Sequence, residues 1–160
     1  MTAINLAGTN MAFTNSLLTA AGGETVHDTT VLLTFCLNGK LYAKSGTNAD
    51  QTTPVLDHST GLAFPSMTAN EGCIVVWGYT SAGVVKCIQG NITEMSGGVF
   101  VQAPEFPANI PDDICLFAYQ VLKCGATAGT VIFGTSNWTA TAFTNAVVNI
   151  ATLPNRPQIS

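Results

Sequence analysis

The sequence predicts an all-β protein. The expected architecture is a single-domain antiparallel β-sandwich or barrel, jelly-roll-like, with an irregular N-terminal arm and C-terminal tail. Three observations lead there. Short runs of β-branched and aromatic residues recur along the chain, separated by Gly, Asn, Pro and Ser, which is the spacing of a sandwich or barrel. Asn38-Gly39 stands between two such runs, and an Asn-Gly pair supplies the two positive φ angles of a tight hairpin turn. Residues 73–80 (CIVVWGYT) are apolar on both faces, so that strand needs cover on two sides. A chain of 160 residues fits one domain with a real core and no need of staples. The boundaries read as an arm over residues 1–29, a β domain over 30–152 and a tail over 153–160.

In chain order, the arm has no strong period. Phe13, Leu17, Leu18 and Ala21 fit either a short helical turn or an extended segment that orders on a partner. Residues 31–37 and 40–43 flank Asn38-Gly39 and form the first hairpin. Residues 45–60 are polar and turn-rich and read as a surface loop. Residues 61–65 read as a short strand stopped by Pro65. A second hairpin joins residues 73–80 to 84–89 through Ser81-Ala82-Gly83, a three-residue loop with Gly in the left-handed position. Residues 90–98 read as a loop leading into residues 99–101. Residues 103–111 contain Pro104, Pro107 and Pro111, which remove donors and fix φ, so an extended connector is expected. Residues 114–122 and 130–134 read as strands. Residues 139–151 alternate, with Thr141, Phe143 and Val147 opposite Ala142, Val148 and Ile150, and read as a long strand of smaller side chains.

Charge is the unusual part of the composition. Only 9% of residues are charged against 47% hydrophobic, where soluble domains carry about 25% charge. Residues 125–155 contain no Asp, Glu, Lys or Arg. So neutral a surface invites association, which implies that neighbouring molecules cover much of it. The five cations, Lys40, Lys44, Lys86, Lys123 and Arg156, are scattered. Nucleic-acid binding needs clustered cations and is not expected, and docking on anionic lipid fails for the same reason. Polar residues interrupt every stretch long enough to span a bilayer or to act as a secretory signal. The expectation is a soluble chain made in the cytoplasm.

Candidate chemistry is sparse. The five cysteines are odd in number, irregularly spaced and set in apolar surroundings, so they read as buried reduced thiols. Asp57-His58-Ser59 contains relay residue types, but adjacent residues point in different directions; local turn hydrogen bonding is the better reading. Asp112-Asp113 reads as a solvated turn, and His27-Asp28 as a strand or arm edge. No metal-ligand spacing surrounds either histidine. Trp77, Tyr79, Trp138 and Phe143 fit a sugar-stacking platform or, more commonly, core and interface packing. The sequence therefore predicts a non-enzyme with no cofactor and no metal.

Four segments resemble small virion structural proteins of tailed bacteriophages: residues 34–42 (TFCLNGKLY), 103–107 (APEFP), 133–138 (FGTSNW) and 153–158 (LPNRPQ). The resemblance spans roughly residues 30 to 158. It implies a capsid decoration, or cement, protein located in the virion. Such a protein binds as a homotrimer on the outer shell, its partner the major capsid protein, and clamps neighbouring capsid subunits. The candidate interface residues are Phe13, Leu17, Leu18, Trp138, Phe143, Pro154 and Arg156. The alternative within the same fold is a tail-fibre or head-fibre module that binds a host receptor or glycan through Trp138 and Tyr79. A polysaccharide hydrolase would need a carboxylate pair from Asp112, Asp113, Glu94 or Glu105.

Overall fold

The computed structural model describes residues 10–20, 25–29, 32–45 and 49–159. Ala21, Glu24, Thr30, Val31 and the first nine residues of the arm lie outside the described residues. The described residues form eleven strands and no helix. They are β1 (Met11–Ala12), β2 (Val26–His27), β3 (Leu32–Leu37), β4 (Lys40–Ser45), β5 (Gln51–Thr52), β6 (Glu71–Thr80), β7 (Val85–Gln89), β8 (Thr93–Ser96), β9 (Val99–Phe100), β10 (Ile114–Cys124) and β11 (Phe143–Asn149). All pairings between strands are antiparallel, as the expected sandwich or barrel requires.

Two long strands organise the molecule. β6 and β10 pair over almost their whole length, from Ile114 opposite Thr80 to Cys124 opposite Glu71. β11 flanks β10 on its outer side. The far side of β6 is shared by β7 along residues 75–79 and by β8 at Glu71 and Gly72. The register shifts between Leu116 and Ala118, a bulge that leaves Phe117 unpaired and fully buried. Phe117 stacks on Tyr79 at 4.5 Å.

Side chains of β6 alternate between two apolar clusters, as the sequence predicts for a strand buried on both faces. Cys73, Val75, Trp77 and Tyr79 enter the larger cluster with Leu33, Phe35, Leu37, Phe133 and Trp138. Its cover is the small sheet β1-β3-β4 and the loops around Phe64 and Phe133. Ile74 and Val76 enter the second cluster with Ile88, Met95, Tyr119 and Val121. Among the described residues, no second sheet covers that face. Phe106 and Ile110 from the proline-rich connector and Leu153 and Ile159 from the tail pack there instead. The tail is irregular, as expected, and docks on its own chain: Gln158 N–H donates to the Tyr119 hydroxyl at 2.7 Å, and Lys123 Nζ donates to the Ile159 carbonyl at 3.2 Å.

The first hairpin forms as predicted, with φ of 52° at Asn38 and 76° at Gly39. So does the second, with Gly83 at 74°. The described part of the arm is extended, not helical. β1 pairs with β3, Ala12 N–H donates to the Ala151 carbonyl, and Thr19 bridges Asp28. Ala12, Leu18 and Ala20 are buried, so this stretch is already part of the domain.

Several local expectations are corrected. Residues 61–65 and 130–134 are not strands; each contributes a single bridge, Ala63 to Leu56 and Val131 to Met67. Pro65 removes a donor from the first. In the second, the chain turns back at Ile132, whose carbonyl accepts from Thr135 and Ser136. Residues 45–60 are not simply a surface loop, because β5 pairs with β2 and both Thr53 and Asp57 are buried. Residues 90–98 are not all loop: they contain β8, joined to β9 by Gly97-Gly98 at φ 58° and 81°, the two positive angles of a tight hairpin turn. The last strand begins only at Phe143, because Ala142 adopts φ 56° and ends a turn.

The tightest approach along β6 lies at Gly72. A Cβ there would sit 2.6 Å from the Leu122 carbonyl oxygen and 2.7 Å from Phe100 Cε1. A Cβ at Gly129 would have nothing within 4 Å. Gly72→Ala is therefore expected to destabilise the fold by about 2 kcal/mol or more through overpacking, and Gly129→Ala to change stability by less than about 0.5 kcal/mol. Denaturant midpoints of the two variants against wild type check this.

Candidate functional site

The seven interface candidates divide into two groups. Phe13, Leu17, Pro154 and Arg156 are exposed, with Phe13 at 49% and Leu17 at 60%. Leu18, Trp138 and Phe143 are buried in the larger cluster of their own chain. Trp138 packs on Phe133 and Phe143, and its indole N–H donates to the Val26 carbonyl at 2.7 Å. Trp77 and Tyr79 are also buried. None of these four aromatics presents a face to solvent, so core packing is their role and the sugar-stacking platform is absent from the described surface.

Asp57-His58-Ser59 builds a turn, as its residue types predict. Asp57 is 4% exposed. Its Oδ1 accepts from Ser59 N–H at 2.8 Å, the Ser59 hydroxyl at 2.6 Å and Thr60 N–H at 3.2 Å, and its Oδ2 accepts from Gln89 N–H at 2.8 Å. His58 N–H donates to the Cys87 carbonyl. One carboxylate thus closes its own loop and ties it to β7, covering the outer edge of that strand. The loop so held displays Val55, Leu56 and Leu62, at 49%, 53% and 68% exposure. The His58 ring meets the exposed Asp113 at 2.9 Å, which links this loop to the turn before β10.

Other half-buried charges make contacts within their own chain. Asp28 Oδ1 accepts from Asp50 N–H at 2.6 Å, and Glu71 Oε2 from Thr68 N–H at 2.6 Å. Lys44 Nζ lies over the Tyr79 ring at 4.7 Å, and Lys123 Nζ over Phe100 at 5.4 Å. These groups keep their charge, on a surface that the composition already makes sparsely charged. Phe13 and Leu17 on the N-terminal segment, Leu32 and Leu41 on the small sheet, and Val99 and Val101 around β9 add to its apolar exposure.

Of the four hydrolase candidates, Glu94 and Glu105 line one cleft of about 410 Å³ with Asn91, Thr93 and Gln102, while Asp112 and Asp113 lie elsewhere. Both glutamates are exposed, and Ile92, Val101 and Ala103 line the cleft beside them. No group of three or more His, Cys, Asp or Glu suited to a metal occurs among the described residues. All five cysteines are free and buried. Burial pushes the Cys115 thiol up to about 12 and raises those of Cys73, Cys87 and Cys124 as well, which disfavours the thiolate in these four.

His27 is the polar group whose place the sequence hides. It is 2% exposed, meets Trp77 edge-on at 4.9 Å, and its Nε2 has no partner. Burial, helped by the Lys44 charge and opposed by Asp28, lowers its pKa to about 4. His27 follows Val26 in a two-residue strand, too short for alternation to reveal its face.

No known protein family matches this chain, and neither curated proteins nor solved structures give a match to it.

The buried carboxylate and the buried imidazole can each be tested. Asp57→Ala removes four hydrogen bonds to a buried carboxylate and is expected to cost about 3 kcal/mol, with new protease cleavage between residues 58 and 62 in limited digestion. For His27, the unfolded chain takes up a proton below about pH 6.5 while the folded chain resists until about 4. Its contribution is therefore complete above pH 6.5 and falls as pH drops towards 4, by roughly 3 kcal/mol in all. In urea titrations at pH 7 and pH 4, His27→Gln should lose less stability between the two than wild type does.

Proposed function

We propose that this protein is a capsid decoration protein. It binds the assembled outer shell of a tailed-phage virion and stabilises it by clamping neighbouring capsid subunits. The observation that carries the reading is the surface. Asp28, Asp57 and Glu71 satisfy local backbone donors, Lys44 and Lys123 lie over aromatic rings, and large apolar side chains stand exposed on strands and a pinned loop. Such a surface suits broad contact with other protein and offers little to nucleic acid or to an anionic membrane. The resemblance to small virion structural proteins supplies the identity of the partner, the major capsid protein, and the homotrimeric grouping. The mechanism is linkage: a protein that binds the assembled shell but not its separated subunits shifts the equilibrium towards the shell, and weak contacts repeated over many sites sum to high avidity.

The fibre reading, with a host glycan as ligand, relied on exposed Trp138 and Tyr79. Both side chains are buried, so no specific observation favours it.

Purified particles should contain this chain in hundreds of copies. Particles stripped of it should release their genome at lower temperature, and added protein should restore the original midpoint. A handful of copies per particle, or a release temperature indifferent to the protein, would sink the proposal.

A further inference from the structure

The edges of the sheets are treated unequally. An exposed edge strand is a template for pairing with another chain, and soluble proteins blunt such edges with charge, proline, bulges or cover. The outer edge of β7 is covered: Asp57 bridges Cys87, His58 N–H donates to the Cys87 carbonyl, and the Asp57 carboxylate accepts from Gln89 N–H. The outer edge of β4 carries Lys40 and Lys44, two cations that would oppose cations in a self-pairing. β11 has neither device. Its sequence, FTNAVVN, contains no charge and no proline.

The hydrogen-bond phase shows which of its groups face outward. Ile150 N–H donates to the Phe117 carbonyl, and Gly125 N–H to the Ala142 carbonyl. Even-numbered residues of this strand therefore point their main-chain groups at β10, and odd-numbered ones point away. Consistently, the Ala151 carbonyl points outward and accepts from Ala12 N–H. The N-terminal segment also occupies the Asn149 side chain, which accepts from the Ser16 hydroxyl and from Leu18 N–H. That closes one end. Among the described residues, the outward N–H and C=O groups of Asn145 and Val147 have no main-chain partner.

We infer that β11 pairs with β11 of a second copy of this chain, antiparallel across a twofold axis at Ala146. In this register Asn145 of one copy exchanges both main-chain bonds with Val147 of the other, which gives four hydrogen bonds by symmetry. Ala146 faces its own copy in the close, non-hydrogen-bonded position. There opposed Cα atoms stand about 4.5 Å apart, and Ala146 is small and exposed. A second copy is the occupant because the edge is self-complementary: residues 125–155 lack any charge, so no like charges meet across the axis, and the half-buried Val147 and Val148 gain cover. The contact continues the β6-β10-β11 sheet into the neighbour. It stands independently of the virion reading, since it concerns only the isolated chain. A threefold grouping would use other surfaces and be linked to its neighbours through this one.

The test uses the purified full chain. Light scattering over increasing concentration should give two copies or a multiple of two. Ala146→Cys should form an intermolecular disulfide under mild oxidation, because the opposed positions fall within disulfide reach, whereas the native thiols are all buried and leave wild type uncrosslinked. Thr141→Cys, exposed but off the paired stretch, serves as the control and should crosslink at least about tenfold more slowly. Ala146→Lys places two cations face to face and should halve the mass while the far-UV spectrum stays unchanged. A wild-type chain that remains monomeric throughout overturns the inference. So does a species of three copies and nothing larger, or Ala146→Cys crosslinking no faster than the control.

Discussion

The fold depends on one constraint: two adjacent strands, β6 and β10, are buried on both faces. Eight consecutive residues of β6, from Gly72 to Tyr79, are buried, and β10 is nearly as enclosed. A sheet that exposed either face would leave Trp77, Tyr79, Phe117 and Leu122, or Ile74, Val76, Tyr119 and Val121, in water. At roughly 25 cal/mol per Å² of apolar surface, neither face can be given up. The rest of the chain is arranged as two covers. One is regular, the β1-β3-β4 sheet, whose Phe35 stacks on Tyr79 at 5.9 Å. The other is irregular, made of connector and tail, with Phe106 edge-on to Tyr119 at 5.1 Å. Three prolines suit the connector to this task, because a cover without ladder hydrogen bonds must hold its shape through fixed φ angles.

The same constraint explains how polar groups are handled inside. Gln120 sits on β10 between Val75 and Val147, fully buried, and its Oε1 accepts from the Trp77 indole at 3.2 Å. His27 lies against the same tryptophan. The indole N–H needs an acceptor once buried, and Gln120 supplies it. Among the described residues, the Nε2 atoms of Gln120 and His27 have no protein partner, so two unpaired polar atoms flank the same tryptophan.

Much of this architecture is legible in the sequence. Asn38-Gly39 and Gly83 mark two hairpins because their turns demand positive φ, which few residues tolerate. The double-sided run at residues 73–80 announces the central strand, and apolar surroundings announce the buried thiols. The illegible parts depend on long-range partners. β8 is a polar strand, TEMS, whose only apolar residue, Met95, packs in the second cluster with Phe100; no local pattern signals that. Residues 130–134 carry strand-forming side chains, yet tertiary contacts of Val131 and Phe133 hold them in a turn, since β-propensity reports a half-buried environment and not a fixed backbone. Trp138 and Phe143 fit a surface anchor as well as a core residue, because large aromatics serve in both places and a single sequence does not distinguish the two.

The charge deficit takes on a different meaning once the carboxylates are placed. Low charge alone describes a surface that tends to associate with anything. Here Asp57, Asp28 and Glu71 each accept from backbone N–H groups, and the Asp57 carboxylate holds the loop on which Val55, Leu56 and Leu62 are exposed. Leu56 and Leu62 project from a loop held by four bonds to one buried carboxylate, and Leu32 and Leu41 project from paired strands. Rigid display matters because association must otherwise meet the entropy of ordering loops and side chains, about 0.5–1.5 kcal/mol for each side chain immobilised. A module that occupies many equivalent sites through modest contacts is helped most by removing that cost in advance.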